Sequence, residues 1–210
     1  MNSISTVPST RNITAQHSWF ICLGIIMLFN MPYGIVGHLP LHREPIHFIL
    51  GEQLIPFLPW TFTIYLSAFI QALLVIRYMP PALLRKLASV LCCALVLGML
   101  LFIVIPIRYP RELFHSNSRL IEFYYKLDSS GNCFPSLHVV ATCVFAYCFS
   151  LVSKSTTQRL LMWIWTVLIV ISVLTTKQHY LVDVFGGLTL AAAVIFILRR
   201  MVNLPVTKPA

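Results

Sequence analysis

The sequence predicts an all-α integral membrane bundle of six transmembrane helices, and three observations carry that prediction. Of 210 residues, 58% are hydrophobic and 10% are charged, with a mean hydropathy of +0.83, a composition outside the range of soluble globular domains. The fifteen Lys and Arg, with the six acidic residues Glu44, Glu52, Glu112, Glu122, Asp128 and Asp183, cut the chain into six long charge-free stretches. These stretches lack the period-2 alternation of a barrel strand, and backbone groups in lipid must find partners within their own segment, which leaves the α-helix.

A bilayer core about 30 Å thick needs roughly 20 helical residues, fewer where flanking side chains snorkel. The stretch between Arg11 and Arg43 predicts a span over 18–38, kinked near Pro32. It has no positively charged leader beside a short apolar core, and Asn30, Met31 and Pro32 stand where a small-residue cleavage site would be, so it reads as a retained anchor. The stretch from Glu52 to Arg77 predicts a span over 55–76, and that from Lys86 to Arg108 one over 87–106. Asp128 to Lys154 holds the fourth span, 137–153. Arg159 to Lys177 and Asp183 to Arg199 hold two shorter ones, 160–176 and 181–198. The one long connection, 107–136, contains an amphipathic stretch, RELFHSNSRLIEFYYKL, suited to a helix in the interface, followed by a turn at DSSGN. A second amphipathic stretch at 41–54 is broken by Pro45 and Gly51. There is no internal repeat, and residues 1–210 read as a single membrane-embedded domain.

Six spans place both termini on one side. Arg11, Arg77, Arg85, Lys86, Lys154, Arg159, Arg199, Arg200 and Lys208 share that side, nine cations against the six of Arg43, Arg108, Arg111, Arg119, Lys126 and Lys177. The positive-inside rule then makes the termini cytoplasmic. Small size and minimal loops point to a bacterial inner membrane. The formal charge of +9 suits anionic membrane lipids or an anionic substrate. Nucleic acid is not an expected partner, because no soluble segment interleaves basic and aromatic residues; the oligomeric state is left open. Five cysteines fall inside spans and Cys133 stands alone in the long loop, expected to be open to an impermeant reagent from outside, so neither a disulfide framework nor a zinc spacing emerges.

Polar residues at membrane depth mark the chemistry. A carboxylate costs roughly 2.5 to 3.5 kcal/mol at the centre of a span, and less near its end, so Asp183 in KQHYLVDVFGG needs a partner. His179, four residues earlier, lies on the same face if the segment is helical. A carboxylate that accepts from one imidazole nitrogen fixes the tautomer and makes the other nitrogen a better base or nucleophile. The alternative is a structural pair at a helix end. In FPSLH, Pro135 and Ser136 signal a helix start, whose free N–H groups and dipole suit an anion, phosphate above all. His138 would project beside that anion. All of these groups fall at the outer ends of their spans, on the face of the basic loop, where Arg108, Arg111 and Lys177 could meet phosphate oxygens. The constellation points to phosphoryl chemistry.

FPSLH followed some forty residues later by HYLVD resembles the second and third signatures of the type 2 phosphatidic acid phosphatase superfamily, in the branch that includes inositol phosphorylceramide synthases. The resemblance covers roughly residues 100–190. It implies a six-helix membrane bundle and metal-independent phosphoryl transfer through a phosphohistidine, with no cofactor. It also implies His179 as nucleophile, Asp183 as the residue that orients it, His138 as the acid toward the leaving alkoxide, and Ser136 as a ligand of a phosphate oxygen. Three positions depart from the family pattern. No lysine stands seven residues before an Arg-Pro pair, Val173 replaces an arginine six residues before the nucleophile, and Leu137 replaces the glycine of PSGH, as in the synthase branch. Lys177 could compensate for Val173, though as a point charge rather than a fork. The expected activity is a membrane phosphatase acting on a lipid phosphate. A lipid phosphotransferase using the same residues is the alternative, and a transporter or structural membrane protein is the rival from another class. A metal-dependent hydrolase would need more close ligand pairs than two histidines and one aspartate.

Overall fold

The computed structural model describes residues 31–45, 52–114, 116 and 118–202. Helix α1 covers 31–37, and the chain then runs extended to a single parallel bridge between Glu44 and Ile107. Short 3-10 turns at Glu52–Leu54 and Pro59–Thr61 lead into α2 (Phe62–Tyr78). Only Met79 and Pro80 separate α2 from α3 (Pro81–Val104), whose first position is a proline already set to helical φ. After a 3-10 turn at Arg111–Leu113 come α4 (Arg119–Leu127), α5 (Leu137–Val152), α6 (Thr156–Thr175) and α7 (Leu181–Val202).

Among the described residues, four helical segments are long and apolar enough to cross a membrane: Pro59–Tyr78, Pro81–Val104, Thr156–Thr175 and Leu181–Val202. Leu137–Val152 is apolar but shorter, with 16 residues, about 24 Å of helix. The predicted first span, 18–38, lies outside the described residues except for its last turns. The outer faces of these helices are as greasy as their inner ones: Leu97 and Leu100 on α3, Ile164 and Val167 on α6, and Phe185 and Phe196 on α7 are all exposed. A helix apolar all round belongs in lipid, and the chain is an integral membrane protein.

Helix α5 is the hub, packing on α7, α6 and α2, while α3 rests on α7 and α5. One core cluster joins Val75, Leu87, Val144 and Leu198 at the end of the bundle away from the long connection; a second joins Phe62, Val139, Val173 and Val184 at the near end. Between them sits a polar contact. Gln71 of α2, wholly buried, donates to Thr166 of α6 at 2.8 Å and accepts from Thr142 of α5.

The 107–136 connection folds over the near end. Tyr109 N–H donates to the Ser130 carbonyl (3.0 Å), Tyr180 Oη to the Arg108 carbonyl (3.2 Å), and Tyr125 Oη to the Thr176 carbonyl (2.8 Å). The amphipathic helix expected over 111–127 is confined to α4, with a separate 3-10 turn before it. Cys133, expected to be open to an impermeant reagent, is 1% exposed because Tyr109 and Tyr180 close over it. Burial pushes its thiol well above the usual range.

Candidate active site

The starts of α5 and α7 meet at one point. Ser136 N–H donates to the backbone carbonyl of Asp183 at 3.0 Å, which brings FPSLH onto HYLVD. Two glycines allow the approach. A Cβ on Gly187 would lie 2.7 Å from the Ser136 carbonyl oxygen, and one on Gly186 would lie 2.5 Å from the Phe134 ring. The GG of VDVFGG is therefore part of the site's scaffold, a role the sequence reading did not assign.

His179 and Asp183 are adjacent for a different reason than the expected shared helix face. Helix α7 begins at Leu181, so His179 lies in the turn before it, following Lys177 at φ 56°. Its Nδ1 stands 3.4 Å from Asp183 Oδ2, long for a hydrogen bond. Asp183 Oδ2 also accepts the Tyr180 N–H at 2.8 Å, and Glu52 accepts the Leu181 N–H. Two carboxylates thus satisfy the free donors at the start of α7 and suit its dipole. Glu52, which the sequence reading used only as a span boundary, holds this turn.

His138 projects from the first turn of α5 onto α2. Its ring stacks on Tyr65 with centroids 4.2 Å apart, and Nε2 lies 3.2 Å from the Tyr65 carbonyl oxygen. A carbonyl only accepts, so Nε2 carries the proton and Nδ1 is left as the nitrogen that can exchange one. His138 lies two residues after Ser136, at the same end of α5 that meets the start of α7.

Ser136 occupies the N-cap position of α5, but its hydroxyl caps nothing: the side chain is wholly buried and Oγ has no partner. His179 Nδ1, Asp183 Oδ1 and Gln178 Oε1 are likewise buried without a hydrogen-bond partner. Buried polar atoms are almost always paired, so the free Ser136 hydroxyl at this junction is available to a polar ligand.

The expected cations are arranged less directly. Arg111 is buried, pairs with Asp128 Oδ2 at 3.0 Å, and lies over the Tyr125 ring with Nε unpartnered. Burial pulls its pKa down, but Asp128, together with smaller contributions from Tyr65, Cys133 and Tyr33, holds it above the usual arginine value. With Tyr125, Glu122, Lys126 and Asp128 it lines a polar pocket of about 620 Å³. Arg108 is at the surface with its guanidinium on Glu112, whose hydrogen bond raises its pKa. Lys177 donates to the Ile55 carbonyl at 2.6 Å and sits over the Phe114 ring; burial lowers its pKa while Glu52 opposes the shift. Ser136, His179 and Asp183 are thus brought together with His138 beside them, whereas the three cations have protein partners of their own. Val173, where the family pattern has an arginine, is fully buried in the core beneath. Leu137 packs against Gly98 of α3, where a Cβ would meet its Cδ2 at 2.7 Å.

The family model for the PAP2 superfamily matches residues 52–197, more than half of the chain. The chain belongs to the PAP2 superfamily. Both signature segments fall within the match, which takes in α2 to α6 and most of α7. Membership points to phosphatase or phosphotransferase activity on phosphate esters. Comparison with curated proteins and with solved structures gave no match.

Proposed function

We propose that this PAP2 superfamily member is a membrane phosphatase that hydrolyses a lipid phosphate through a phosphohistidine on His179. The observation that carries the reading is the junction of Ser136, His179 and Asp183, with the buried Ser136 hydroxyl unpaired and able to donate to a phosphate oxygen. Asp183 Oδ2 faces Nδ1 of His179, which makes Nε2 the attacking nitrogen. As the Nε2–P bond forms and the P–O ester bond breaks, His138 acts as the imidazolium: its Nε2–H stays on the Tyr65 carbonyl and its Nδ1 proton passes to the departing alkoxide, leaving the ring neutral. A water then attacks the phosphohistidine, His138 takes its proton, and inorganic phosphate leaves with the His179 ring restored. Ser136 Oγ and the first N–H groups of α5 hold the phosphate oxygens. No metal is required by this sequence of steps. The remaining spans, cytoplasmic termini, an extracytoplasmic site and a bacterial inner membrane complete the proposal.

A second reading, transfer of the phosphoryl group to an alcohol, is favoured by the polar pocket beside Arg111, which has room for a hydroxylated acceptor. The deciding experiment is phosphate release by the purified full chain from phosphatidic acid and simpler monoesters, with lipid products analysed in parallel. His179→Ala should abolish release and trapping of labelled phosphate on the protein, and EDTA should leave the wild type active. Full activity in His179→Ala refutes the nucleophile assignment.

A further inference from the structure

A second cavity, distinct from the polar pocket, opens below His138. It is a slot of about 150 Å³ between α2, α3 and α5, and its lining is apolar except for His138 and Thr142. The Thr142 hydroxyl is already committed to Gln71, which leaves His138 as the one polar group free to act there. The slot exists because α2 and α3, though separated by only two residues, diverge and rest separately on α5. On α3 it runs from Leu95 to Leu84, about 16 Å at the helical rise, which is about half of a bilayer's hydrocarbon core. Leu137 against Gly98 bounds it at the upper end. Phe69 lies on its outer rim, 38% exposed, with its ring edge toward His138 at 6.3 Å.

The geometry points to this slot as the binding site for a single hydrocarbon chain, that of the alcohol which leaves. The inference rests on the phosphatase reading above and deepens it. His138 bounds the slot and is the proton donor to the departing oxygen, so the carbon attached to that oxygen is at the slot's mouth. The chain then continues down between α2 and α3, entering sideways from the bilayer past Phe69. A volume of about 150 Å³ spread over about 16 Å of length leaves a cross-section for one chain and not two, which selects a long-chain monoalkyl phosphate over a two-chain lipid phosphate. When the P–O bond breaks, the phosphoryl group stays on His179 and the protonated alcohol stays in the slot until it returns to the membrane.

The test uses the purified full chain in detergent with a series of monoalkyl phosphates from butyl to hexadecyl, and phosphatidic acid for comparison. The expected result is a kcat/KM that climbs with chain length, levels off once the slot is filled, and exceeds that for phosphatidic acid. Ala88, half-buried on the slot wall in α3 and outside the catalytic group, provides the perturbation. Ala88→Phe should lower kcat/KM for dodecyl phosphate by about tenfold or more, the scale on which apolar pockets discriminate chain length, while butyl phosphate stays within about twofold. Ala88→Leu, a gentler filling, should shift the levelling-off point to shorter chains. An equal loss for butyl and dodecyl phosphate in both variants, no dependence on chain length, or preference for phosphatidic acid overturns the slot. A readout independent of activity is photolabelling with a diazirine-bearing long-chain alcohol, expected on α2 and α3 peptides and reduced in Ala88→Phe. Labelling there without phosphate release from any ester supports the slot and refutes the phosphatase reading. Phosphate release without labelling of α2 and α3 overturns the slot alone.

Discussion

Ser136→Ala separates a structural serine from one kept for substrate. At the N-cap of α5 a serine hydroxyl ordinarily accepts an N–H of the first turn, and its loss costs about 0.5 to 2 kcal/mol. Here Oγ is fully buried and accepts nothing. A buried hydroxyl without a partner costs about 1 to 3 kcal/mol in desolvation, and alanine removes that penalty while keeping the Cβ in place. The two roles therefore predict opposite signs. The structure predicts a gain of about 1 kcal/mol, which for a chain of this size raises Tm by about 2 to 4 °C. Activity should move the other way. One charge-assisted hydrogen bond to a phosphate oxygen is worth about 1.5 to 3 kcal/mol, so kcat/KM should fall by about 10- to 150-fold. Thermal unfolding in detergent followed by circular dichroism, together with phosphate release from the same preparation, gives both numbers. A lower Tm, or unchanged kcat/KM, refutes the assignment of Ser136 to the phosphate.

Asp183→Asn keeps the acceptor for the Tyr180 N–H but removes the charge facing His179, so kcat should fall by about 10- to 100-fold with little change in Tm; Asp183→Ala should lower both, because the Tyr180 donor is orphaned. Gly187→Ala sets a Cβ against the Ser136 carbonyl, a backbone atom that cannot swing aside, and should cost about 1 to 3 kcal/mol along with most of the activity, measured as Tm and phosphate release. Burial makes the Lys177 ammonium give up its proton below the usual lysine range. If that charge holds phosphate, KM should rise with pH on the alkaline side, Lys177→Arg should move that rise to higher pH, and Lys177→Met should remove it. A Leu113→Cys probe on the exposed 3-10 turn should react with an impermeant maleimide from the extracytoplasmic side, and reaction only from the cytoplasm inverts the topology.

Much of the fold was legible because the constraint that shapes it is one-dimensional: charges cannot sit in hydrocarbon, so their gaps mark the helices. The predicted starts at 137 and 181 coincide with α5 and α7, since a Pro-Ser pair before an apolar run and a carboxylate at the edge of one are local signals. The same locality misled on His179. The HxxxD spacing suggests one helix face, whereas the pair is joined by a turn at Lys177, whose positive φ nothing in the pattern announces. Partners distant in sequence were beyond reach. Arg108 and Arg111 read as free cations because Glu112 and Asp128 look no different from other acids until the loop is folded. Tyr65, whose carbonyl fixes the His138 tautomer, is one aromatic among many on α2. The glycines after Asp183 could have been found: two adjacent glycines early in a span are a signal of close helix approach.

The Gln71 contact with Thr142 and Thr166 has a consequence for orientation. Lipid tails satisfy an apolar side chain as well as a neighbouring helix does, so apolar packing alone exerts little torque against a helix turning about its own axis. Hydrogen bonds do, because they are directional. Thr142 lies one turn below His138 on α5, and its bond to Gln71 works as a rotational lock: while it holds, the imidazole one turn above can face only the Tyr65 carbonyl. The aim of the proposed proton donor is thus set from inside the bundle, by three residues hydrogen-bonded to one another.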